Sequence, residues 1–402
     1  MRTECRTTLL LCAAAALFEG FDNQSMGVAA PRMLPEFGLS AAQASLLFSA
    51  TTFGLFVGAA VGGRVADFLG RKRTLVVSML LFGVCSLLTS LSAGADSLFV
   101  ARLLTGLGLG GAMPNFIALS SESVHATRRL GAVTVVMAAM PCGGAIAGLM
   151  ALGDAVGWGW RVIFYLGGAG PIVLAFLMWN LLPEAQTASG ANTIAGPYPP
   201  TQRIEGVSNV LFGAGRTPTT LQLWGGFFFT QLVLLLMLNW LPSLFVGLGF
   251  SHTQASWASV CFNLSGSLGA VALARLHGGR RRRLAVVMTY AGMIAALAAL
   301  PAVGTTFWQA AVASAFAGIF IVGAQLILFA LAPLYYPRPI RGTGVGAAVA
   351  IGRLGSVVGP LYAGALLMHG GDSATVLIGI LPFVGIGGAS ALALTGREKC
   401  VD

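Results

Sequence analysis

Apolar stretches of about twenty residues recur along the whole chain, separated by short breaks that contain charged residues, glycine or proline. A helix of that length crosses the ~30 Å hydrocarbon core of a bilayer, so each stretch predicts a membrane-spanning helix. Twelve such segments are predicted, at residues 9–30, 46–66, 74–93, 97–119, 131–152, 161–182, 219–241, 255–275, 284–303, 307–333, 342–366 and 374–395.

The segments divide into six, a polar stretch, and six more. Residues 184–218 are rich in Ser, Thr, Gly and Pro, which is typical of a linker with little fixed structure. We therefore predict an all-α membrane protein with two pseudo-symmetric six-helix bundles, residues 1–183 and 219–402, around a central cavity. A cytoplasmic linker, residues 184–218, joins the bundles.

The composition agrees with a membrane protein, since 56% of the 402 residues are apolar and 9% are charged. The net charge of +10 reflects topology rather than a nucleic-acid surface. With the N-terminus in the cytoplasm, the outer loops hold Arg32 and Arg161, and the other loop cations lie inside. Those inner cations are Arg64, Arg71, Lys72, Arg73, Arg128, Arg129, Arg203, Arg216, Arg275, Arg280, Arg281, Arg282, Arg283, Arg338 and Arg341. An alternative, a cleaved signal peptide at the N-terminus, would remove the first segment and reverse this pattern.

No constellation for catalysis or metal binding stands out. The run Gly106–Gly111 fits a dinucleotide-binding pattern, but it lies within a predicted span rather than between a strand and a helix. The histidines are scattered, and the six cysteines lack metal-ligand spacing. We therefore predict that the protein is not an enzyme and has no cofactor or metal.

Charged residues inside the predicted spans are the candidate functional groups, because a charge near the bilayer centre costs about 2.5–3.5 kcal/mol on insertion scales. At ~1.5 Å per residue, Glu19 lies ~15 Å and Asp22 ~20 Å into the first span. Arg102 lies ~8 Å below the outer surface, which is a depth similar to that of Asp22. Arg353 lies ~16 Å into the eleventh span, in the other bundle.

Three motifs resemble those of a known family. Gly63-x-x-x-Asp67-x-x-Gly70-Arg71-Lys72 is similar to the loop signature of the major facilitator superfamily, with Phe68 where a basic residue is usual. The run from Arg102 to Asn115 resembles the superfamily's fourth-span motif, and Glu19-Gly-Phe-Asp22 resembles the first helix of its aromatic acid:proton symporters. The resemblance implies a monomeric inner-membrane transporter, with both termini cytoplasmic, that imports a small aromatic carboxylate with a proton.

On that basis we assign roles to individual residues. Asp22 carries the proton, because burial favours its neutral form while Arg102 favours its charged form; a static buried pair is the alternative. Glu19 is either a second proton site or a hydrogen-bonding group in helix packing. Arg353 binds the substrate carboxylate through its planar fork, or alternatively forms a structural bridge. The remaining substrate-binding candidates are Gln231, Asn263 and Tyr362.

The loop motif predicts a conformational latch at the cytoplasmic rim, made of Asp67, Arg71 and Lys72 with Gly63 and Gly70. Two other functions stay open: a proton-coupled exporter of amphipathic compounds, and a membrane sensor on the same scaffold. The run Met140-Pro-Cys-Gly-Gly144 resembles an exporter motif only in part.

Overall fold

The computed structural model describes residues 3–125, 129–153, 159–182, 207–213, 215–276, 282–302, 306–337 and 341–397. The first half contains α1 (Thr3–Glu36), α2 (Ala41–Leu69), α3 (Arg71–Ser90), α4 (Ala95–Glu122), α5 (Arg129–Met137), α6 (Ala139–Leu152) and α7 (Arg161–Leu181). The second half contains α8 (Val207–Phe212), α9 (Thr217–Gly247), α10 (His252–Leu276), α11 (Arg282–Ala299), α12 (Phe307–Leu331), α13 (Arg341–Met368), α14 (Ser373–Gly379) and α15 (Leu381–Thr395).

The predicted segments correspond to these helices, and the all-helical fold class is confirmed. The fifth segment is divided into α5 and α6 at Ala138, and the twelfth into α14 and α15 at Ile380. Pro141 and Pro382 follow these breaks by a few residues. Because proline has no backbone N–H to donate, it interrupts the hydrogen-bond ladder just before itself.

Ten helical stretches in the described part of the chain are long and apolar enough to cross a membrane. The remaining two predicted spans, α1 and α10, are long but more polar. Their polar side chains face the protein interior: Glu19, Asp22 and Gln24 of α1 are each 1% exposed, and Ser259 and Asn263 of α10 are buried. Hydropathy alone therefore understates how well these two helices suit a position inside the bundle.

The two halves repeat the same packing. In the first half α1 packs on α6 and α2 on α4; in the second, α9 packs on α13 and α10 on α12. Small residues allow this close packing. A Cβ atom on Gly106 or Gly110 of α4 would overlap the carbonyl oxygen of Thr51 or Leu55 on α2. These glycines therefore let the backbones of α2 and α4 approach each other closely.

The bundle boundaries and the linker remain predictions, since residues 183–206 lie outside the described part of the chain. At the far end of that stretch, α8 packs beside α9, and Thr220 donates a hydrogen bond of 2.7 Å to the Leu211 carbonyl. The residues of the possible signal peptide belong to α1, where Cys12, Ala15 and Ala16 are buried within the first bundle.

Contacts between the halves concentrate on one side of the molecule. We call the side where α1 begins and α15 ends the terminal side, and the opposite side the distal side. On the distal side, Ser49 of α2 donates a hydrogen bond of 2.9 Å to the Val357 carbonyl of α13. Gln24 of α1 donates one of 3.1 Å to the Leu238 carbonyl of α9. The distal side is therefore closed.

Candidate functional site

A cavity of about 410 Å³ lies between the two halves, in the part of the molecule nearer the terminal side. It lies within the 300–1,000 Å³ range typical of small-molecule sites. Its apolar lining includes Phe56, Met113, Ile117, Phe227 and Phe329. Its polar lining is formed by Gln231, Gln325 and Arg353. An apolar, aromatic wall with few polar groups suits an aromatic ligand that carries a charge at one end.

Arg353 provides the positive charge of this cavity. Its Nη2 atom donates to the Met113 Sδ atom of α4, 2.9 Å away, and thus reaches from the second half to the first. A thioether is a weak acceptor, so this contact positions the guanidinium without satisfying it. Arg353 also interacts electrostatically with Glu19. A guanidinium held in this way can receive a carboxylate through two parallel hydrogen bonds.

Glu19 is completely buried, with 1% of its surface exposed. Neither of its carboxylate oxygens has a hydrogen-bond partner within the described residues. The neighbouring charges are Arg353 across the interface between the halves and Asp22 one turn along α1. A buried carboxylate without hydrogen bonds is costly in its charged form. The environment of Glu19 is therefore suited to a residue that binds and releases a proton.

Asp22 has a different environment, because it is paired. The Arg102 Nη1 and Nη2 atoms donate to the two Asp22 carboxylate oxygens at 2.9 and 2.7 Å, and both side chains are 1% exposed. Arg102 Nε donates to Thr51 Oγ1 at 3.2 Å, and the guanidinium lies over the Phe164 ring. The structure thus brings together Asp22 and Arg102, for which the sequence predicted similar depths in the membrane.

The cavity also contains two amide side chains whose carbonyl oxygens are buried. Gln231 Oε1 and Gln325 Oε1 have no hydrogen-bond partner in the described part of the structure. Sequence analysis identified Gln231 but missed Gln325. In the sequence, Gln325 stands out as an amide surrounded by apolar residues in helix α12. Only the structure shows that its side chain points into the cavity.

The other two predicted substrate-binding residues lie outside the lining of this cavity. Asn263 of α10 donates hydrogen bonds to Gln24 Oε1 at 3.2 Å and to the Ser259 carbonyl at 2.9 Å, at the contact between the halves. Tyr362 of α13 donates to the Gly379 carbonyl at 3.1 Å. In this conformation Asn263 and Tyr362 serve helix packing, and their contact with substrate stays a prediction.

The predicted latch residues lie on the terminal side. Gly70 has φ +83°, a conformation that glycine adopts easily, and it makes the tight turn between α2 and α3. Arg71 forms an ion pair with Glu122 at the end of α4, a pair that sequence analysis missed. Lys72 donates to the Leu182 carbonyl at 2.5 Å. Gly63 has open space beside it, and the side chain of Asp67 lies outside the described residues.

The fold and the cavity together define a membrane transporter: two helical bundles enclose a site that is closed on one side of the molecule. The sequence profile of the Major Facilitator Superfamily matches residues 12–360, and the chain belongs to this superfamily. The protein is therefore a multi-pass membrane protein, and it is not an enzyme.

Its relatives include transporters of aromatic acids. The chain is 38% identical to the 3-(3-hydroxy-phenyl)propionate transporter of Escherichia coli K12 over 98% of this chain and 96% of that protein. It is 32% identical to the gallate transporter of Pseudomonas putida, over 90% of this chain and 85% of the relative. It is 31% identical to the 4-hydroxybenzoate transporter PcaK of Acinetobacter baylyi, over 92% and 87% of the two chains. The resemblance inferred from the motifs is confirmed.

Solved structures with the same fold are more distant in sequence. A bacterial homologue of the human lysosomal transporter Spinster, in an inward-facing and unoccupied conformation, superposes with a TM-score of 0.78 at 17% identity and covers 98% of both chains. A D-xylose-proton symporter superposes with a TM-score of 0.75 at 18% identity, with 97% of both chains covered. At this level of identity the likeness concerns the fold alone.

Proposed function

We propose that the protein imports a small aromatic carboxylate, such as 3-(3-hydroxyphenyl)propionate or a benzoate, together with a proton. The observation that carries this proposal is Arg353, a guanidinium in an aromatic-lined cavity whose one recorded hydrogen bond, among the described residues, goes to a thioether. The substrate carboxylate binds Arg353, and the ring lies against Phe227 and Phe329. The aromatic acids named for the relatives support this substrate class.

Glu19 and Arg353 provide a physical route for coupling substrate to proton. In the empty cavity, Arg353 supplies the positive charge that Glu19 experiences. A substrate carboxylate on Arg353 neutralises that charge, so that the buried Glu19 carboxyl then favours its protonated form. Substrate and proton together leave a neutral site, which the two halves can enclose at low electrostatic cost.

Asp22 and Arg102 support this site. The Asp22–Arg102 ion pair is bidentate and fully buried, and its own hydrogen bonds satisfy both charges. Of the two acids Glu19 and Asp22, we therefore assign the transported proton to Glu19. Asp22, held by Arg102, contributes the negative charge one turn away. This assignment modifies the sequence-based prediction, in which Asp22 carried the proton.

The orientation in the membrane follows from the positive-inside rule. The terminal side carries the basic loops, so we assign it to the cytoplasmic face of a bacterial inner membrane. Both chain ends then lie in the cytoplasm. The protein then works as a monomer by alternating access. In this proposal, the conformation that is closed on the distal side is the one that exchanges substrate with the cytoplasm.

Uptake into proteoliposomes tests the function. Labelled 3-(3-hydroxyphenyl)propionate and benzoate are offered with and without an inward proton gradient, and a labelled sugar serves as the control substrate. We expect the aromatic acid to accumulate only with the gradient. Accumulation that does not depend on the gradient contradicts symport, and transport of the sugar instead contradicts the substrate class.

Glu19→Gln tests the coupling step, because it keeps the size of the side chain and removes the titrating group. We expect accumulation against a gradient to be lost, while substrate binding and exchange of substrate across the membrane remain. Gradient-driven accumulation at the wild-type level in this variant contradicts the role of Glu19.

The matched control is Glu36→Gln, at the distal end of the same helix. The hydrogen bond from the Trp160 indole and the neighbouring Arg161 hold the pKa of Glu36 below its usual value, so Glu36 is ionised at neutral pH. It is half exposed and pairs with Arg161 at 2.7 Å. Exposed pairs contribute about 0–1 kcal/mol. We therefore expect coupled uptake at the wild-type level.

A further inference from the structure

Two glutamines in the cavity are positioned at the same depth. Gln231 lies one turn beyond Phe227 on α9, and Gln325 lies one turn before Phe329 on α12. The rings of Phe227 and Phe329 are in edge-to-face contact, with centroids 5.3 Å apart. Since α9 runs away from the terminal side and α12 runs towards it, both glutamines lie four residues, ~6 Å, deeper along their helices than the two phenylalanines.

The α13 backbone beside Arg353 lies near the level of Phe227 on α9. A Cβ atom on the preceding residue, Gly352, would contact the Phe227 side chain at 3.3 Å. The backbone that carries Arg353 is therefore about one helical turn from the level of the two amides, and all three side chains line the same cavity. A substituted phenyl ring spans a distance of this kind.

Neither amide is explained by helix packing. Gln325 is 7% exposed, yet its carbonyl oxygen has no partner within the described residues, and the same holds for Gln231 Oε1. A buried polar group without a partner is rare in native structures. Both side chains line the cavity, so the missing partner is one that a ligand can supply.

The chemistry of an amide matches a hydroxyl group. A phenol hydroxyl donates one hydrogen bond and accepts others, and a glutamine amide offers both an acceptor and donors. The match holds for either orientation of the amide. A ligand with an unsubstituted ring leaves both carbonyl oxygens unpaired, and desolvating them without a partner weakens its binding.

We propose that Gln325 and Gln231 form a subsite that recognises a ring hydroxyl, so that the substrate is a hydroxylated aromatic carboxylate rather than an unsubstituted one. This inference rests on the proposed function, in which Arg353 holds the carboxylate. Gln325 is then a residue that determines specificity, on a helix that otherwise contributes apolar contacts to the cavity.

Binding of a matched pair of ligands to the purified full-length protein tests the subsite. Isothermal titration calorimetry compares 3-(3-hydroxyphenyl)propionate with 3-phenylpropionate, which lacks only the hydroxyl. One net hydrogen bond predicts a preference of about 3- to 10-fold for the hydroxylated acid. Gln325→Met, which keeps the size of the side chain, is expected to remove this preference and to bind 3-phenylpropionate at least as tightly as the wild-type protein does, because that acid no longer leaves the Gln325 carbonyl oxygen unpaired. Gln309→Met, an exposed substitution on the same helix, is expected to keep the preference.

The outcomes separate this subsite from the proposed function. Equal affinity of the wild-type protein for the two acids overturns the subsite and leaves the proposed function intact. A preference that persists in folded Gln325→Met and Gln231→Met proteins overturns the subsite as well. Binding of neither acid by the wild-type protein overturns the proposed function, and the subsite with it.

Discussion

At the scale of single residues, two acids three positions apart have opposite surroundings. Asp22 is satisfied by Arg102, whereas Glu19 is buried without a hydrogen bond in the described structure and lies near Arg353 of the other half. Depth along a helix, which the sequence provides, was enough to pair Asp22 with Arg102. The surroundings of Glu19 depend on how the halves meet, and no local pattern encodes that.

The same limit explains the other site residues. Arg353 and Gln231 were predicted, and both line the cavity. Asn263 and Tyr362 lie farther towards the distal side and point into helix contacts, and Gln325 was missed. The depth of a side chain follows from residue number, but its direction around the helix axis follows from tertiary packing.

The buried ion pair predicts non-additive stability effects. Asp22→Asn or Arg102→Gln alone leaves the other charge buried and unpaired, so we expect each to lower stability by about 3–5 kcal/mol. The double substitution removes both charges and should cost less than the sum. Thermal unfolding of the purified variants in detergent measures this, with Arg161→Gln, from an exposed pair, as a control with a small effect. Additive losses would show that the two charges do not depend on each other.

At the scale of helices, the pattern of apolar stretches predicted the twelve segments but not their internal breaks. An average over about eighteen residues does not detect a single missing N–H, so the interruptions at Ala138 and Ile380 were not predicted. For α1 and α10 the average is lowered by polar residues that face the interior. In both cases the sequence contains the cause, namely a proline or a stripe of polar residues, but its effect depends on the partner helix.

Close packing between α2 and α4 predicts which glycines cannot be replaced. In Gly110→Ala the new methyl group would overlap the Leu55 carbonyl of the facing backbone, which has no side-chain freedom to yield. We expect a loss of about 1–3 kcal/mol, as for overpacked cores, measured as lower thermal stability and lower yield. Gly385→Ala on α15 meets open space and should be neutral or stabilising, because alanine favours helix. Equal effects at the two positions would contradict the packing argument.

At the scale of the whole molecule, the two halves meet on the distal side and the cavity lies towards the terminal side. Transport by alternating access requires that these distal contacts break while the terminal side closes. On the terminal side, Arg71 and Lys72 are bonded within the first half. We therefore expect the predicted latch residues to contact the second half only in the state in which the terminal side is closed.

Gln24 is the residue whose loss should shift this equilibrium. It donates to the Leu238 carbonyl and accepts a hydrogen bond from Asn263, so it joins α1 to two helices of the other half. Gln24→Leu removes both bonds and should destabilise the distally closed state by about 1–2 kcal/mol, a change of about 5- to 30-fold in the ratio of the two states.

Labelling from the distal side measures that shift, because access to a buried position on this side requires the halves to separate. In a cysteine-free background, Ser49→Cys introduces a thiol at a position that is 4% exposed in the closed structure. A membrane-impermeant maleimide should label it faster in Gln24→Leu than in Gln309→Leu, which changes an exposed amide on the distal part of α12. If the two variants label at the same rate, the Gln24 hydrogen bonds do not hold the distal side closed, and closure must then come from apolar helix packing such as that of Gly27 against the α9 backbone.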